Sequence, residues 1–174
     1  CGSLAFDTIT TFPGRFASQI LPEQVHILNV SFLVPTLRRE FGGCAGNIAY
    51  TLHHLGGEPL VMAAVGADGA QYVERLGAWG VSTEHVRVLP DTYTAQAIII
   101  TDVDNNQITA FHPGAMGCSH DNHVGDVADV ALGIVAPDSR DGMLQHAREF
   151  VARGVPFIFD PGQAMPLFNG DEFR

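Results

Sequence analysis

The chain has 174 residues, of which 46% are hydrophobic and 16% are charged, a composition that is typical of one packed globular domain and excludes a disordered chain. The formal net charge is −10, and all nine basic residues are arginines, so the chain lacks the clustered cations with which proteins bind nucleic acid or anionic membrane surfaces. Its apolar runs are far too short to span a bilayer, and its three widely spaced cysteines predict reduced thiols in a cytoplasmic protein.

The first 41 residues predict strands and loops without a helix. Cys1 to Phe6 is small and apolar and predicts a buried strand that ends at Asp7. Residues 11–22 contain two prolines and a glycine and predict a loop. Residues 25–34 are rich in β-branched and aromatic side chains and predict a strand, which breaks near Pro35 and is followed by a second short strand to Phe41. Because no helix separates these strands, we expect them to be antiparallel.

From Gly42 onward, helical and strand patterns alternate. Helices are expected between Gly43 and Gly56, over residues 67–79, and over residues 139–152 with Ser139 or Asp138 as the N-cap. Strands are expected over residues 60–65, 85–89, 95–101, 107–111, 132–136 and 155–159. The alternation predicts an α/β fold with a mainly parallel sheet flanked by helices. The antiparallel pieces around residues 25–41 and 95–111 predict a small β-sheet lid on one side of that core.

Residues 42–47, with the sequence GGCAGN, are the strongest local indication of a binding site. Two glycines before a helix let a ligand approach the backbone closely, and the helix N-terminus offers free N–H groups and positive potential. Asn47 lies in the first turn, where its amide can both donate and accept a hydrogen bond. An ordinary glycine turn with Asn47 as a local cap explains the residues equally well. The segment is not a phosphate-binding Walker A loop, since that loop needs a lysine.

Asp7 is the second candidate because it follows the first predicted strand. Ligands of open α/β sheets bind beyond the carboxyl ends of the strands, and a carboxylate there can accept hydrogen bonds from two hydroxyls of a sugar. A turn or helix cap is the simpler alternative for an aspartate in this place. His120 and His123 are spaced three apart with Asp121 between them, but without a fourth ligand they give little support for a zinc site, and we expect no metal site.

Several segments together resemble one family. GGCAGN with Ala49, and the pairs at residues 56–57 and 65–66, resemble the first signature of the ribokinase (PfkB) family of sugar and nucleoside kinases. Within that family, bacterial adenosine kinases are similar in five segments: FPGRF at 12–16, ILPE at 20–23, SFLV at 31–34, TDVD at 101–104 and FHPGAM at 111–116. The likeness covers essentially the whole chain, as the N-terminal portion of such a kinase.

This resemblance implies ATP-dependent phosphorylation of the 5′-hydroxyl of adenosine, with Mg²⁺ as cofactor. By the family's pattern the substrate pocket contains eight residues of this chain: Ser3, Asp7, Gly42, Gly43, Asn47, Phe111, Met116 and Gln163. Asp7 would hold the ribose hydroxyls with the Gly43 backbone and Asn47, Ser3 would lie near the purine, Phe111 and Met116 would contact the base, and Gln163 would line the other side. Lid segments at about 12–41 and 95–111 would close over the nucleoside and pair with the lid of a second subunit, giving a homodimer. For Phe111 and Met116, plain core packing is an equal alternative.

The sequence also departs from the family in specific ways. Ala5 and Cys44 replace the asparagine and lysine that ribokinases carry, which argues against free ribose, and Ala97 replaces an aromatic residue common in adenosine kinases. The second family signature, DTxGAGD, which carries the catalytic aspartate, does not occur in residues 1–174, so no catalytic residue is assigned. We therefore keep two alternatives open: a kinase of another nucleoside or sugar, and a catalytically inactive fragment.

Overall fold

The computed structural model describes residues 1–173. Across these residues, eight strands and three α-helices follow one another in the order β1 (Ala5–Thr11), β2 (Thr36–Gly42), α1 (Cys44–His54), β3 (Ala63–Gly66), α2 (Ala70–Ala78), β4 (Val86–Leu89), β5 (Ala95–Thr101), β6 (Gln107–His112), β7 (Gly133–Val135), α3 (Arg140–Arg153) and β8 (Phe157–Phe159). Short 3₁₀ helices occupy several connections, among them Pro22–Ile27, Gly114–Asp121 and Gly162–Leu167. Within residues 1–173, every helix is too short or too polar to cross a lipid bilayer.

The strands form one mixed sheet and two parallel pairs. The mixed sheet has the order β2-β1-β5-β6, in which β1 and β5 are parallel and the two outer pairings are antiparallel. Strands β3 and β4 form one parallel pair, and β7 and β8 form the other. The expected α/β fold is confirmed, while the largest sheet is mixed and combines the parallel pair β1–β5 with two antiparallel pairings.

The first four residues connect the two parallel pairs. The Gly2 N–H donates to the Met62 carbonyl at 3.3 Å, and the Ser3 N–H donates to the Pro137 carbonyl at 3.2 Å. The Cys1 carbonyl accepts from the Ala136 N–H at 2.9 Å. Cys1–Leu4 therefore runs between β3 and β7 before the same segment continues as β1 into the mixed sheet.

Two apolar clusters stabilise the helical part. Helices α1 and α2 share one cluster with the first strand and β3, in which Leu4, Phe6, Tyr72 and Leu76 are almost completely buried. Helix α3 belongs to the second cluster, which contains Met62, Val124, Val127, Val135, Met143 and Phe150. Burial of such side chains contributes about 1.5–3 kcal/mol each, so these two clusters fix the positions of the loops between them.

The predicted position of Asp7 at the end of the first strand is wrong. Strand β1 begins at Ala5 and ends at Thr11, so Asp7 is its third residue. The strand continues because β2 and β5 lie on either side of it and pair with all seven of its residues. Backbone pairing with these neighbours, which the local sequence does not reveal, extends the strand through the polar residue.

The predicted strand over residues 25–34 is also wrong. Pro22–Ile27 forms 3₁₀ turns, and residues 28–35 are irregular, whereas the second short strand is present as β2. Residues 25–34 pair with no strand of the mixed sheet, whose outer strands are β2 and β6. Phe32 packs instead against the rings of Phe12 and Phe16, at centroid distances of 5.0 and 4.9 Å.

The helix boundaries follow local signals closely. Ser139 is the N-cap of α3, with its Oγ accepting the Gly142 N–H at 3.2 Å, and Gly154 ends that helix in the left-handed conformation. Gly80 has a φ of +78° just after α2, as its predicted capping role requires. Helix α2 begins at Ala70, three residues later than expected.

Candidate functional site

Asp7, Ala97 and Phe111 form one row across the mixed sheet. Asp7 pairs with Ala97 of the parallel neighbour β5, and Ala97 pairs with Phe111 of β6. Residues directly opposite one another in a sheet share a face, so the three side chains point to the same side. With strands about 4.8 Å apart, the Asp7 and Phe111 backbones lie on the order of 10 Å from each other. Between the carboxylate and the half-exposed aromatic ring, the row carries only the small side chain of Ala97.

The Asp7 carboxylate packs against the bare backbone of Gly42. A methyl group on Gly42 would lie 2.3 Å from Asp7 Oδ2, so no larger residue fits there while the carboxylate keeps its place. Burial raises the pKa of Asp7 above its ordinary value. The carboxylate is therefore partly withdrawn from water at a position where a ligand hydroxyl can replace the water.

The turn before α1 is fixed by Ser3. Gly43 has a φ of +89°, and a methyl group on it would lie 2.5 Å from the Ser3 carbonyl oxygen, so glycine is required for both reasons. Ser3 Oγ accepts the Cys44 N–H at 3.1 Å, and the Ser3 carbonyl accepts the Ala45 N–H at 3.0 Å. Two of the N–H groups at the start of α1 are thus capped by a residue that precedes β1 instead of by the helix's own N-cap.

Three further predicted site residues lie on helix α1 and on two of the short 3₁₀ helices. Asn47 is exposed in the first turn of α1, where its N–H donates to the Gly43 carbonyl at 3.1 Å. Met116 is half-buried in the short helix Gly114–Asp121. Gln163 is exposed at the start of Gly162–Leu167, and Gly162 closely approaches Pro137, the residue that accepts the Ser3 N–H.

The structure therefore brings some of the predicted residues into direct contact and leaves others outside the contact group. Asp7 lies against Gly42, Ser3 lies against Gly43 and caps Cys44, and Phe111 faces the same side of the sheet as Asp7, two strands away. Asn47, Met116 and Gln163 lie on α1, Gly114–Asp121 and Gly162–Leu167. Their assignment to a pocket stays a prediction.

Asp138 is a buried acidic residue of this region for which the local pattern predicts only a capping role. It follows β7 and is 6% exposed, and Oδ1 accepts the Ser139 N–H at 2.8 Å while Oδ2 has no hydrogen-bond partner. Burial raises the pKa of Asp138 to about 7, although the hydrogen bonds from Ser139 and Ser119 oppose the rise. Its position shortly after the predicted strand over residues 132–136 was the only available signal, and a capping role already accounted for an aspartate there.

Cys44 experiences the negative charges of the same region. Burial raises the pKa of its thiol, and the carboxylates of Asp160, Asp138 and Asp7 raise it further, while the hydrogen bond with Ser3 opposes them. A thiol with a raised pKa is a poor nucleophile at neutral pH. Cys44 is therefore unsuited to covalent catalysis at neutral pH.

The candidate metal-binding histidines are engaged elsewhere. His123 Nδ1 contacts Glu149 Oε1 at 2.8 Å, which raises the pKa of His123, and Glu149 also accepts the Val124 N–H at 2.6 Å. In the part of the chain that the structure describes, no group of three or more His, Cys, Asp or Glu side chains could hold a metal ion.

The chain resembles known proteins in both sequence and structure. Residues 19–167 match the pfkB family carbohydrate kinase profile. The chain is 30% identical over 150 residues to a nucleoside kinase of Methanothermobacter thermautotrophicus, with 84% of this chain and 48% of that protein covered. The structure of Burkholderia thailandensis nucleoside kinase in complex with inosine has a TM-score of 0.85 at 60% identity and covers 100% of this chain and 55% of that one. The same protein in complex with ADP-inosine has a TM-score of 0.80 at 62% identity with the same coverage. The chain spans about half the length of the relatives it matches.

Proposed function

The chain belongs to the pfkB family of carbohydrate kinases, and on that premise we propose that it forms the acceptor-binding part of a nucleoside kinase. The observation that carries the proposal is the row of Asp7, Ala97 and Phe111 on one face of the mixed sheet. A nucleoside has a pair of ribose hydroxyls at one end and a flat aromatic base at the other. Asp7 and Phe111, with backbones on the order of 10 Å apart and a small residue between them, suit this arrangement. The carboxylate matches the hydroxyls, and the aromatic ring matches the base.

In this proposal each residue of the contact group has a defined role. Asp7 accepts hydrogen bonds from the two ribose hydroxyls, and the Gly42–Gly43 turn lets the sugar approach the α1 N-terminus closely. Phe111 offers its ring to the base, and Ala97 leaves room beside it. Asn47, Met116, Ser3 and Gln163 complete the pocket.

The phosphoryl acceptor is the nucleoside 5′-hydroxyl, and the donor is ATP with Mg²⁺. We place neither group among the described residues, since the chain contains no lysine-bearing phosphate loop and the described part has no cluster of three or more metal-ligating side chains. When bound, ATP would supply the phosphoryl group and Mg²⁺ would neutralise its charge. Residues 1–173 bind and orient the acceptor, and we assign them no proton transfer.

Adenosine is the specific acceptor that we propose, from the resemblance of residues 12–16, 20–23, 31–34, 101–104 and 111–116 to adenosine kinases. Inosine is the direct competitor, since the Burkholderia thailandensis relative is described in complex with it. The gap at Ala97 supports a pocket that tolerates either base.

We further propose that the mixed sheet with residues 12–35 acts as a lid and pairs with the lid of a second copy. Ile27 and Leu33 are 74% and 86% exposed, and Leu21 and Leu37 are also more than half exposed. Apolar side chains gathered on one segment at this exposure favour burial against a partner.

Calorimetric titration of the 174-residue chain tests the proposed function. Adenosine and inosine are the ligands, their 2′,3′-dideoxy analogues test the diol, and D-ribose tests the base. Each hydroxyl bonded to a charged acceptor contributes about 1.5–3 kcal/mol, so the dideoxy analogues should bind at least about tenfold more weakly than the nucleosides. Ribose binding as tight as adenosine would favour the sugar kinase alternative. Absence of binding by every ligand would favour an inactive fragment.

A further inference from the structure

Tyr72 of helix α2 contacts the glycine turn of the candidate site through its hydroxyl group. It is 2% exposed, and its hydroxyl donates to the Gly42 carbonyl at 2.7 Å. Gly42 is the residue against which the Asp7 carboxylate packs. Tyr72 therefore binds directly to Gly42, the residue that packs against Asp7, although the two lie 30 positions apart in the sequence.

Packing holds the Tyr72 ring firmly in this place. The centroid of its ring is 5.7 Å from that of Phe6, a member of the first apolar cluster. It is 5.1 Å from that of Phe41, which precedes Gly42 in the chain. Burial raises the pKa of Tyr72 to about 12, with Arg75 opposing the rise and Asp7 adding to it. The hydroxyl thus stays protonated, and able to donate, throughout the physiological pH range.

Gly46 leaves room for the same hydroxyl because it has no side chain. A methyl group on Gly46 would lie 2.0 Å from Tyr72 Oη, 3.0 Å from Cζ and 3.2 Å from Leu4 Cδ2. Because 2.0 Å is far inside contact distance, even alanine at position 46 would displace the tyrosine or the helix. The third glycine of GGCAGN is therefore explained by Tyr72, and not by any approach of a ligand.

We infer that Tyr72 is a positioning residue of the acceptor site, which holds the Gly42–Gly43 turn through the Gly42 carbonyl, and that Gly46 is required to admit its hydroxyl. The expected effect of Tyr72 on ligand binding rests on the proposed nucleoside site. Tyr72 touches no substrate. Without its hydrogen bond, the Gly42 carbonyl is left buried without this donor, and the turn shifts to find another partner.

Two measurements on the 174-residue chain test the inference with Tyr72→Phe and the control Tyr50→Phe. Tyr50 lies on α1 and is 44% exposed, so the control removes the same hydroxyl from the surface. In the ligand-free chain, Tyr72→Phe should speed hydrogen exchange of the backbone amides of Cys44 and Ala45 by about tenfold. That factor corresponds to the loss of one neutral buried hydrogen bond. Adenosine affinity should fall by a similar factor, and Tyr50→Phe should change neither quantity.

The outcomes separate this inference from the proposed function. If the wild-type chain binds adenosine and Tyr72→Phe binds it equally well at a temperature where both are folded, Tyr72 is only a core residue and the inference is wrong. If the wild-type chain binds no nucleoside, the proposed function fails, and the exchange rates alone decide whether Tyr72 holds the turn.

A double-mutant cycle tests the pairing with Gly46. Gly46→Ala should weaken adenosine binding and lower the melting temperature more in the wild-type background than in Tyr72→Phe, where the hydroxyl that it meets is gone. Should the alanine variant fail to fold, the melting temperature of the double variant Gly46→Ala/Tyr72→Phe decides, since recovery of folding supports the contact. Equal effects of Gly46→Ala in both backgrounds would show that Gly46 does not act through Tyr72.

Discussion

Asp7→Asn is the substitution that most directly tests the candidate site. The change replaces one oxygen by an amide nitrogen and removes the negative charge, while the side chain keeps its shape. Asp7 Oδ2 lies against Gly42, where the space admits an oxygen or nitrogen but no added methyl group. Because the packing is conserved, we expect the free energy of unfolding to change by less than about 0.5 kcal/mol, as for other substitutions that leave packing intact.

The effect on ligand binding should be much larger. A hydrogen bond to a charged group contributes about 1.5–3 kcal/mol, roughly twice that of a neutral one. If Asp7 accepts both ribose hydroxyls, loss of its charge should weaken adenosine binding by about tenfold or more, since ~1.4 kcal/mol is a factor of ten. If Asp7 is only a structural residue of β1, asparagine should serve equally well.

The assay is calorimetric titration of adenosine into the wild type, Asp7→Asn and the control Glu40→Gln. Glu40 pairs directly with Asp7 in the sheet and is exposed on β2, so the control removes a charge from the same row without touching Gly42. Because burial raises the pKa of Asp7, the wild-type affinity should fall on acidification at a higher pH than for an ordinary aspartate, and Asp7→Asn should not show this fall. Equal affinities of wild type and Asp7→Asn at neutral pH would refute the assignment of Asp7 to the ribose.

Three further predictions follow from the same observations. The 174-residue chain should not transfer phosphate from ATP to adenosine, because DTxGAGD is missing from it, and turnover above background in a coupled ADP assay would contradict this. Asp138 has a folded-state pKa of about 7 against about 3.9 when unfolded, so the folded chain binds the extra proton between about pH 4 and pH 7, and stability should fall as pH rises through that range. Asp138→Asn should remove this fall and raise the melting temperature at pH 8 relative to the wild type, whereas parallel pH profiles would show that Asp138 does not cause it. The chain should self-associate through its exposed lid, and Leu33→Asp should weaken the association; a strictly monomeric wild-type mass in light scattering at high concentration would count against it.

Local sequence patterns determined the regular elements of the helical part. The glycines at positions 42–43 and 80 marked helix boundaries, and Ser139 marked the start of α3, because caps and left-handed turns depend on a few adjacent residues. Strand β5 was predicted with its observed bounds, since its run of β-branched residues has a clear end at Asp102. The family, too, was evident from short motifs, and the match over residues 19–167 confirms it.

The same local patterns failed where a strand depended on its neighbours. Residues 25–34 have side chains that suit a strand, but they pair with no neighbouring strand, and Phe32 packs against Phe12 and Phe16 instead. Strand β1 passes through Asp7 for the complementary reason, because both neighbours pair with it along its full length. A strand exists only where another backbone accepts its hydrogen bonds, and that partner is not visible in the strand's own sequence.

The composition of the candidate site was available from the sequence, but its geometry was not. Asp7, Gly42 and Gly43 were recognised as residue types that bind ligands, whereas only the register of three strands places Phe111 in the row of Asp7. Ser3 caps a helix 41 positions away, and Tyr72 supports a carbonyl 30 positions away. Burial raises the pKa of Asp138 to about 7, and its sequence neighbours do not report that burial. Residue chemistry is a property of the chain itself, but the distances, registers and burial that turn it into a site come from contacts between distant segments, which only the folded structure determines.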